Sequence, residues 1–176
     1  MYTFKIIPPT VIVSPLVIFS KKRLFEEISQ RASFIINTDD RAIEPVTQKY
    51  ILDRMIRRES NGSTAVTAGF AMPHAMVRRA KSSLAILSVL NTPVQYNTVN
   101  TERQMVDVVY SFFFPTSDDS TKCEAMLEQL ADIMQDQGLI EAIRLARHDE
   151  AKLAFILNKI DQALVTDLSK EKEQAS

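Results

Sequence analysis

Apolar residues recur along the chain in two patterns, and each pattern predicts a different kind of element. Residues 21–36 carry apolar side chains three and four positions apart, directly behind the N-cap candidate Ser20, which predicts a helix. A second helix is expected to begin at Glu44 and Pro45. It should end at the run SNGST, residues 60–64, because a glycine after polar residues commonly turns a chain out of a helix.

Two runs in the middle of the chain have the length and composition of buried strands. Residues 82–90 (SSLAILSVL) and 105–114 (MVDVVYSFFF) are rich in β-branched or aromatic side chains, and Pro115 ends the second run. The apolar opening segment, residues 1–19, is interrupted by three prolines and is interpreted as a lead-in strand packed on the core. A sheet is therefore predicted at the centre of the domain.

Three more helices are predicted after the second strand. The first lies within residues 117–136, a break is expected at Gly138, and a short amphipathic helix runs to about Ala146. The last helix is predicted from Asp149 to Leu164, followed by a frayed polar tail over residues 165–176. Strands flanked by helices predict an α/β domain whose sheet is covered on both faces, with the strand directions left open.

Composition narrows the class of protein. A chain of 176 residues with 45% apolar content is expected to form a single domain. A net charge of −1 argues against a nucleic-acid partner, because such surfaces need an excess of Lys and Arg. With Cys123 as the single cysteine, neither an intramolecular disulfide nor a multi-thiolate zinc site can form, so we expect a cytoplasmic protein with no cofactor or metal. Membrane insertion is not expected either, since no run approaches about 20 uninterrupted apolar residues.

The run GFAMPHAMV, residues 69–77, contains the strongest candidate for chemistry, His74. Pro73 stiffens the backbone that enters the histidine, while Gly69 and Ala75 leave room beside its ring. The run therefore predicts an imidazole held rigidly in the open. Neutral imidazole is a nucleophile at cytosolic pH, and a phosphoryl group is its natural cargo. A lone histidine is more often structural, and that alternative stays open.

A phosphoryl group at this histidine needs hydrogen-bond donors, which the upstream run RRESNGST can supply. Arg57 or Arg58 offers a planar charged guanidinium, and Ser63 and Thr64 offer hydroxyls. The backbone N–H groups around Gly62 add further donors. A solvated helix C-terminus has the same composition, so this interpretation remains possible as well.

Residues 52–77, LDRMIRRESNGSTAVTAGFAMPHAMV, resemble the signature of enzyme IIA domains of the fructose/mannitol class in the bacterial phosphotransferase system. The similarity extends to residues 20–29 and 92–115 and covers about residues 20–160 in all. The run SKKR before the first helix and the absence of a fused transporter module resemble the nitrogen-regulatory branch of that family.

The resemblance implies a single-domain, three-layer α/β/α sandwich with a mixed central sheet. We accordingly divide the chain into a lead-in segment (1–19), an EIIA type 2 domain (20–164) and a polar tail (165–176).

The resemblance also implies a function. In the family, a phosphorylated carrier of the HPr type donates its phosphoryl group to the histidine that His74 matches, and Arg58 matches an arginine near that group. Ser63 and Thr64 are expected to help to stabilise the phosphoryl oxygens. The protein is thus expected to be a phosphoryl carrier that signals to regulatory target proteins through its charge. Two alternatives remain, a sugar-specific component that passes phosphate to a IIB partner, and an interaction module that is not efficiently phosphorylated.

One departure from the family concerns Cys123, which stands where a second histidine is usual. We predict that it lies beside the phosphoryl group, where a thiol is only a weak hydrogen-bond donor and transfer would be slower. Helical spacing alone favours an inert buried thiol, and a hydrolytic Cys123–His74 dyad is disfavoured because no orienting group is recognisable. Asp107, inside an apolar strand, is expected to pair with backbone or arginine groups near the site, and His148 to be a solvated neighbour of a helix cap.

Overall fold

A single mixed sheet of six strands organises the part of the chain that the structure describes. In this computed structural model, that part comprises residues 1–38, 44–100 and 102–175. Within these ranges no helix is long and apolar enough to cross a membrane.

The elements follow one another in a largely alternating order. The strands are β1 (Thr10–Leu16), β2 (Ala65–Thr67), β3 (Gly69–Ala71), β4 (His74–Val77), β5 (Leu84–Val99) and β6 (Glu102–Pro115). The helices are α1 (Lys21–Asn37), α2 (Gln48–Ser60), α3 (Ser120–Ile133), α4 (Gln137–Leu145) and α5 (Glu150–Gln174). The sheet order is β1-β5-β6-β3-β2, and β4 also pairs with β6. Pairs β1–β5, β3–β6 and β4–β6 are parallel, whereas β5–β6 and β2–β3 are antiparallel.

The two faces of the sheet are covered by different helices, as the alternation of side chains along a strand requires. On β6, Val109 and Phe113 belong to the apolar core shared with α1 and α2. Tyr110 and Phe112, which alternate with them, belong to the core shared with α3, α4 and α5. The expected α/β class, with a mixed sheet between two helical layers, is confirmed.

The first helices show how capping residues set the element boundaries. Ser20 caps α1 as predicted, since its hydroxyl accepts a hydrogen bond from the backbone N–H of Arg23. The second helix begins later than expected from Glu44 and Pro45. Thr47 is its N-cap and accepts from the backbone N–H of Tyr50, so the threonine hydroxyl rather than the proline defines the start.

Two predictions in the C-terminal half are wrong. Gly138 does not break the helices but lies in the first turn of α4, where its N–H donates to the capping carboxylate of Asp136. The last helix does not end at Leu164 but continues to Gln174. Apolar periodicity stops at Leu164, yet the Lys, Glu and Gln residues that follow are good helix formers and sustain the helix without core contacts. Part of the predicted tail is therefore helical.

The N-terminal segment is held on the domain by one buried carboxylate. Asp161 of α5 is 3% exposed, and its two oxygens accept hydrogen bonds from the backbone N–H groups of Lys5, Ile6 and Ile7 at 2.8–2.9 Å. This contact places the chain directly before β1, the edge strand of the sheet. The lead-in strand expected within residues 1–19 is thus present and packed against the core.

We expect Asp161→Ala to lower the free energy of unfolding by about 3 kcal/mol, because three backbone donors lose a charged acceptor. Asp167→Ala, on the exposed side of the same helix, is the matched control and should change stability by less than about 0.5 kcal/mol. Urea denaturation of both variants measures the difference. Equal stability of the two variants would contradict the anchoring role of Asp161.

Candidate functional site

His74 is the first residue of β4, and the parallel pairing of this strand with β6 fixes its backbone. His74 lies opposite Phe112, and the backbone N–H of Phe112 donates to the carbonyl of Pro73 at 3.0 Å. The proline before the histidine is therefore tied into the sheet, as its predicted stiffness suggested. The imidazole is partly buried, however, rather than fully open as the sequence predicted. Residues of α2 and α3 line the cavity around it.

Two hydrogen bonds fix the orientation and the tautomer of the imidazole. Nδ1 of His74 lies 2.9 Å from the carbonyl oxygen of Met72, which can only accept, so Nδ1 carries the proton. Nε2 accepts a hydrogen bond from Nε of Arg58 at 3.1 Å. The nitrogen with a free electron pair is thus Nε2, and it faces a guanidinium.

Burial of the ring lowers the pKa of His74 below its usual 6.5. The Met72 carbonyl opposes this shift, while the positive charge of Arg58 adds to it. At neutral pH the imidazole is consequently uncharged, which is the nucleophilic form.

Arg58 is itself held by the loop that follows α2. Its Nη1 donates to the carbonyl oxygen of Gly62 at 2.9 Å. The neighbouring Glu59 organises the same loop, since its carboxylate accepts hydrogen bonds from the backbone N–H and the hydroxyl of Thr64. Arg58 therefore reaches His74 as the sequence predicted, supported by a loop that Glu59 shapes.

Ser63 and Thr64, both predicted to stabilise phosphoryl oxygens, are not among the residues that line the cavity at His74. The hydroxyl of Thr64 is buried and bonded to Glu59 and to the hydroxyl of Tyr96, each at 2.6 Å. The Ser63 hydroxyl accepts from the backbone N–H of Ala65 at 3.2 Å. The arrangement uses both side chains to shape the loop.

The cavity beside His74 has a volume of about 190 Å³ and brings together residues of α2, β4 and α3. From the sequence, Arg57 was named as the alternative donor to Arg58, whereas Arg54 was missed. Together with Arg58 they line the cavity, and Nε of Arg54 donates to the carbonyl of Met76 at 3.4 Å. Their spacing of three and four residues was the available signal, because such positions share one face of a helix.

Cys123 lines the same cavity from the first turn of α3, so the predicted proximity to His74 holds. The thiol is partly buried. Burial and the nearby carboxylates of Asp118 and Asp119 raise the pKa of Cys123, and the group is therefore a protonated thiol at neutral pH. A neutral thiol offers one weak donor to a bound anion and is a poor nucleophile.

Asp107 does not belong to this cavity. It is buried and forms a two-pronged ion pair with Arg144 of α4, at 2.6 Å and 2.9 Å. The expected arginine partner is present, but the pair supports the packing of α4 on the sheet. It also explains Gly69, whose φ is +79° and where a Cβ atom would lie 2.7 Å from Nη2 of Arg144. His148 is exposed beside the N-cap Asp149, as predicted.

Comparison with known proteins identifies the family. The model of the family described as phosphoenolpyruvate-dependent sugar phosphotransferase system, EIIA 2, matches residues 5–159. The chain belongs to this family. Within the described residues, no group of three or more His, Cys, Asp or Glu side chains is arranged to hold a metal ion.

Relatives and solved structures agree with this assignment. The nitrogen regulatory protein of Bradyrhizobium diazoefficiens is 25% identical over 146 residues, which cover 83% of this chain and 88% of that protein. The crystal structure of the nitrogen regulatory protein IIA-Ntr from Neisseria meningitidis matches with a TM-score of 0.67 at 20% identity, over 81% of this chain and 91% of that one. The complex of enzyme IIAMTL and phosphorylated enzyme IIBMTL from Escherichia coli matches with a TM-score of 0.59 at 13% identity, over 83% of this chain and 92% of the matched chain. The expected resemblance to the nitrogen-regulatory branch is confirmed.

The lowered pKa of His74 predicts its titration. We expect the NMR signals of the His74 ring to titrate with a midpoint below 6.5, because burial and Arg58 both disfavour the imidazolium form. In Arg58→Gln the midpoint of His74 should rise, since one of the charges that opposes protonation is removed. A midpoint at or above 6.5 would contradict the described environment.

Proposed function

We propose that this EIIA type 2 domain is a phosphoryl carrier of the nitrogen-regulatory kind, in which His74 accepts a phosphoryl group from a phosphorylated HPr-like carrier protein. The observation that carries the proposal is the pair of hydrogen bonds on the imidazole. Nδ1 is committed to the Met72 carbonyl, which leaves Nε2 as the nucleophile at the arginine-lined cavity.

The transfer is a single in-line displacement at phosphorus. The electron pair of His74 Nε2 forms the new N–P bond, while the N–P bond of the donor breaks and its electron pair returns to the donor nitrogen. The ring of His74 gains positive character, which the Met72 carbonyl stabilises through the Nδ1 proton. The Arg58 guanidinium, already 3.1 Å from Nε2, is placed to donate to the equatorial oxygens.

The charge of the cavity suits a phosphoryl group. Arg54, Arg57 and Arg58 face a single carboxylate among the cavity residues, that of Glu124, so the lining carries two net positive charges while His74 is neutral. A phosphoryl group brings about 1.5 to 2 negative charges at neutral pH. Phosphorylation would therefore neutralise the cavity, and its charge state is what target proteins would read.

Intact-mass measurement after incubation with the phosphorylated carrier tests the proposal. The native protein should gain one phosphoryl group, and His74→Ala should gain none. Arg58→Gln should be phosphorylated roughly a hundredfold more slowly, as expected when one preorganised donor to the transferring group is lost. Arg103→Gln, an exposed arginine on β6, is the matched control and should react at the native rate. A label on a residue other than His74 would overturn the mechanism.

The protonated thiol of Cys123 favours a second candidate, a binding module whose phosphorylation is inefficient. We expect Cys123→His to accept phosphate about tenfold faster than the native chain, because a hydrogen bond to a charged group contributes about 1.5 kcal/mol. Cys123→Ala is the control for the loss of the thiol and should react at the native rate. Equal rates for Cys123→His and the native chain would count against this candidate and favour an efficient relay.

The similarity to the enzyme IIAMTL complex supports one further variant of the relay, in which His74 passes its phosphoryl group to a IIB protein. Addition of a IIB protein to the phosphorylated chain separates the two possibilities. Loss of the label to the IIB protein favours a sugar-specific component, whereas retention favours a regulator that keeps its charge.

A further inference from the structure

Five arginines form a continuous surface beside His74, although the whole chain carries a net charge of −1. This surface, here called the basic strip, consists of Arg54, Arg57, Arg58, Arg78 and Arg79. The first three lie on one face of α2, and the last two follow β4 directly. The proposed relay uses the charge of Arg54, Arg57 and Arg58 at His74 and leaves Arg78 and Arg79 without a role of their own.

Tyr50 and Met76 connect the two halves of the strip. Arg54 donates to the Met76 carbonyl, and Tyr50 precedes Arg54 by one helical turn. The Tyr50 hydroxyl accepts the backbone N–H of Arg78 at 3.1 Å, and the guanidinium of Arg78 lies 5.5 Å from the centre of the tyrosine ring. Arg78 and Arg79 line a second cavity together with Tyr50. The cationic surface thus runs from the cavity at His74 to the turn after β4.

Few carboxylates offset this charge. Glu44 forms an ion pair with Arg79, and Glu124 lines the cavity at His74. Asp53 is exposed on α2, but within the described residues it forms no ion pair with the strip. Arg54 and Arg57 likewise form no ion pair there. Arg57 and Arg78 are exposed and carry no ion pair within the described ranges, and Arg54 is partly buried beside them. Guanidiniums without an ion pair are suited to bind carboxylates in a planar, two-pronged manner.

We propose that the basic strip is the docking site for an acidic segment of a partner protein, and that phosphorylation of His74 weakens the docking. The five arginines and the two carboxylates that face them leave three net positive charges. A phosphoryl group on Nε2, bringing nearly two negative charges, would occupy Arg58 and cancel most of that excess. The regulatory half of this inference rests on the proposed function, whereas the docking half does not.

The opposite rim of the cavity favours a protein over a nucleic acid. Asp118 and Asp119 precede α3 and act electrostatically on Cys123, with Glu124 beside them. A long phosphate backbone that follows the strip into the cavity would meet these carboxylates. A protein partner can end its acidic segment before it reaches these carboxylates. The arginines on one side and the carboxylates on the other therefore favour a short acidic segment over a long polyanion.

Fluorescence anisotropy with a labelled peptide of eight glutamates tests the docking half in the unphosphorylated full-length protein. We expect Arg78→Gln combined with Arg79→Gln to weaken the binding about tenfold, because two cationic contacts are lost far from His74. Arg103→Gln combined with Lys152→Gln removes the same charge from exposed positions on β6 and α5 and is the matched control.

The outcomes of this experiment are distinct. Weaker binding by the strip variant than by the control variant supports the proposal. Equal binding by the two variants overturns it, as does tighter binding of a single-stranded DNA of equal charge than of the peptide. Both variants should still accept a phosphoryl group on His74, so a failure of docking is separable from a failure of the relay.

The regulatory half uses two forms that differ at His74 alone. The protein phosphorylated chemically with phosphoramidate, which needs no carrier protein, and the variant His74→Glu should both bind the peptide at least about threefold more weakly than the native chain. His74→Gln, which adds no charge, is the control and should bind normally. Unchanged binding by His74→Glu would overturn the switch while leaving the docking site intact.

Discussion

The hydrogen bond between Nδ1 of His74 and the Met72 carbonyl is the constraint on which the chemistry of the site depends. It decides which nitrogen carries the proton, and therefore which nitrogen has a free electron pair. The Met72 carbonyl can reach the ring of His74 because Pro73 lies between the two residues and the pairing of β4 with β6 holds the backbone. The tautomer of His74 thus follows from local backbone geometry, together with the hydrogen bond that Arg58 donates to Nε2.

Arg58 has one role before the proposed transfer and a second role during it. In the resting state its Nε–H occupies the Nε2 electron pair and keeps the imidazole uncharged. In the proposed relay, an incoming phosphoryl group takes that place, and Arg58 then donates to the phosphoryl oxygens rather than to the ring nitrogen. The carbonyl of Gly62 holds the other end of the guanidinium, so the change requires only a small movement. Preorganisation of this kind reduces the reorganisation that accompanies transfer.

The helices and central strands could be predicted from the sequence because their signals are local. Helical periodicity and the cap Ser20 predicted α1, and runs rich in β-branched and aromatic residues predicted β5 and β6. The short strands β2, β3 and β4 could not be predicted, because strands of three or four residues depend on pairing: β3 and β4 pair with β6, which is distant in sequence, and β2 pairs with β3.

The site likewise divides into residues that a local signal predicts and residues whose role depends on a distant partner. His74 and Arg58 stood out by motif, whereas the roles of Thr64 and Asp107 depend on Tyr96 and Arg144, whose positions no spacing reveals.

The electrostatics of the cavity follow from the placement of its two walls. Arginines of α2 line one side, and the start of α3 presents carboxylates on the other, with His74 between them. A histidine at position 123 could carry a positive charge beside a bound phosphoryl group, whereas the thiol present there stays neutral because the acidic start of α3 and burial disfavour the thiolate. In the proposed relay, stabilisation of the phosphoryl group therefore comes from one wall, that of α2. In the two proposals, the arginines of α2 serve the transferring group and also form part of the surface for a docked partner, and for this reason the two should compete.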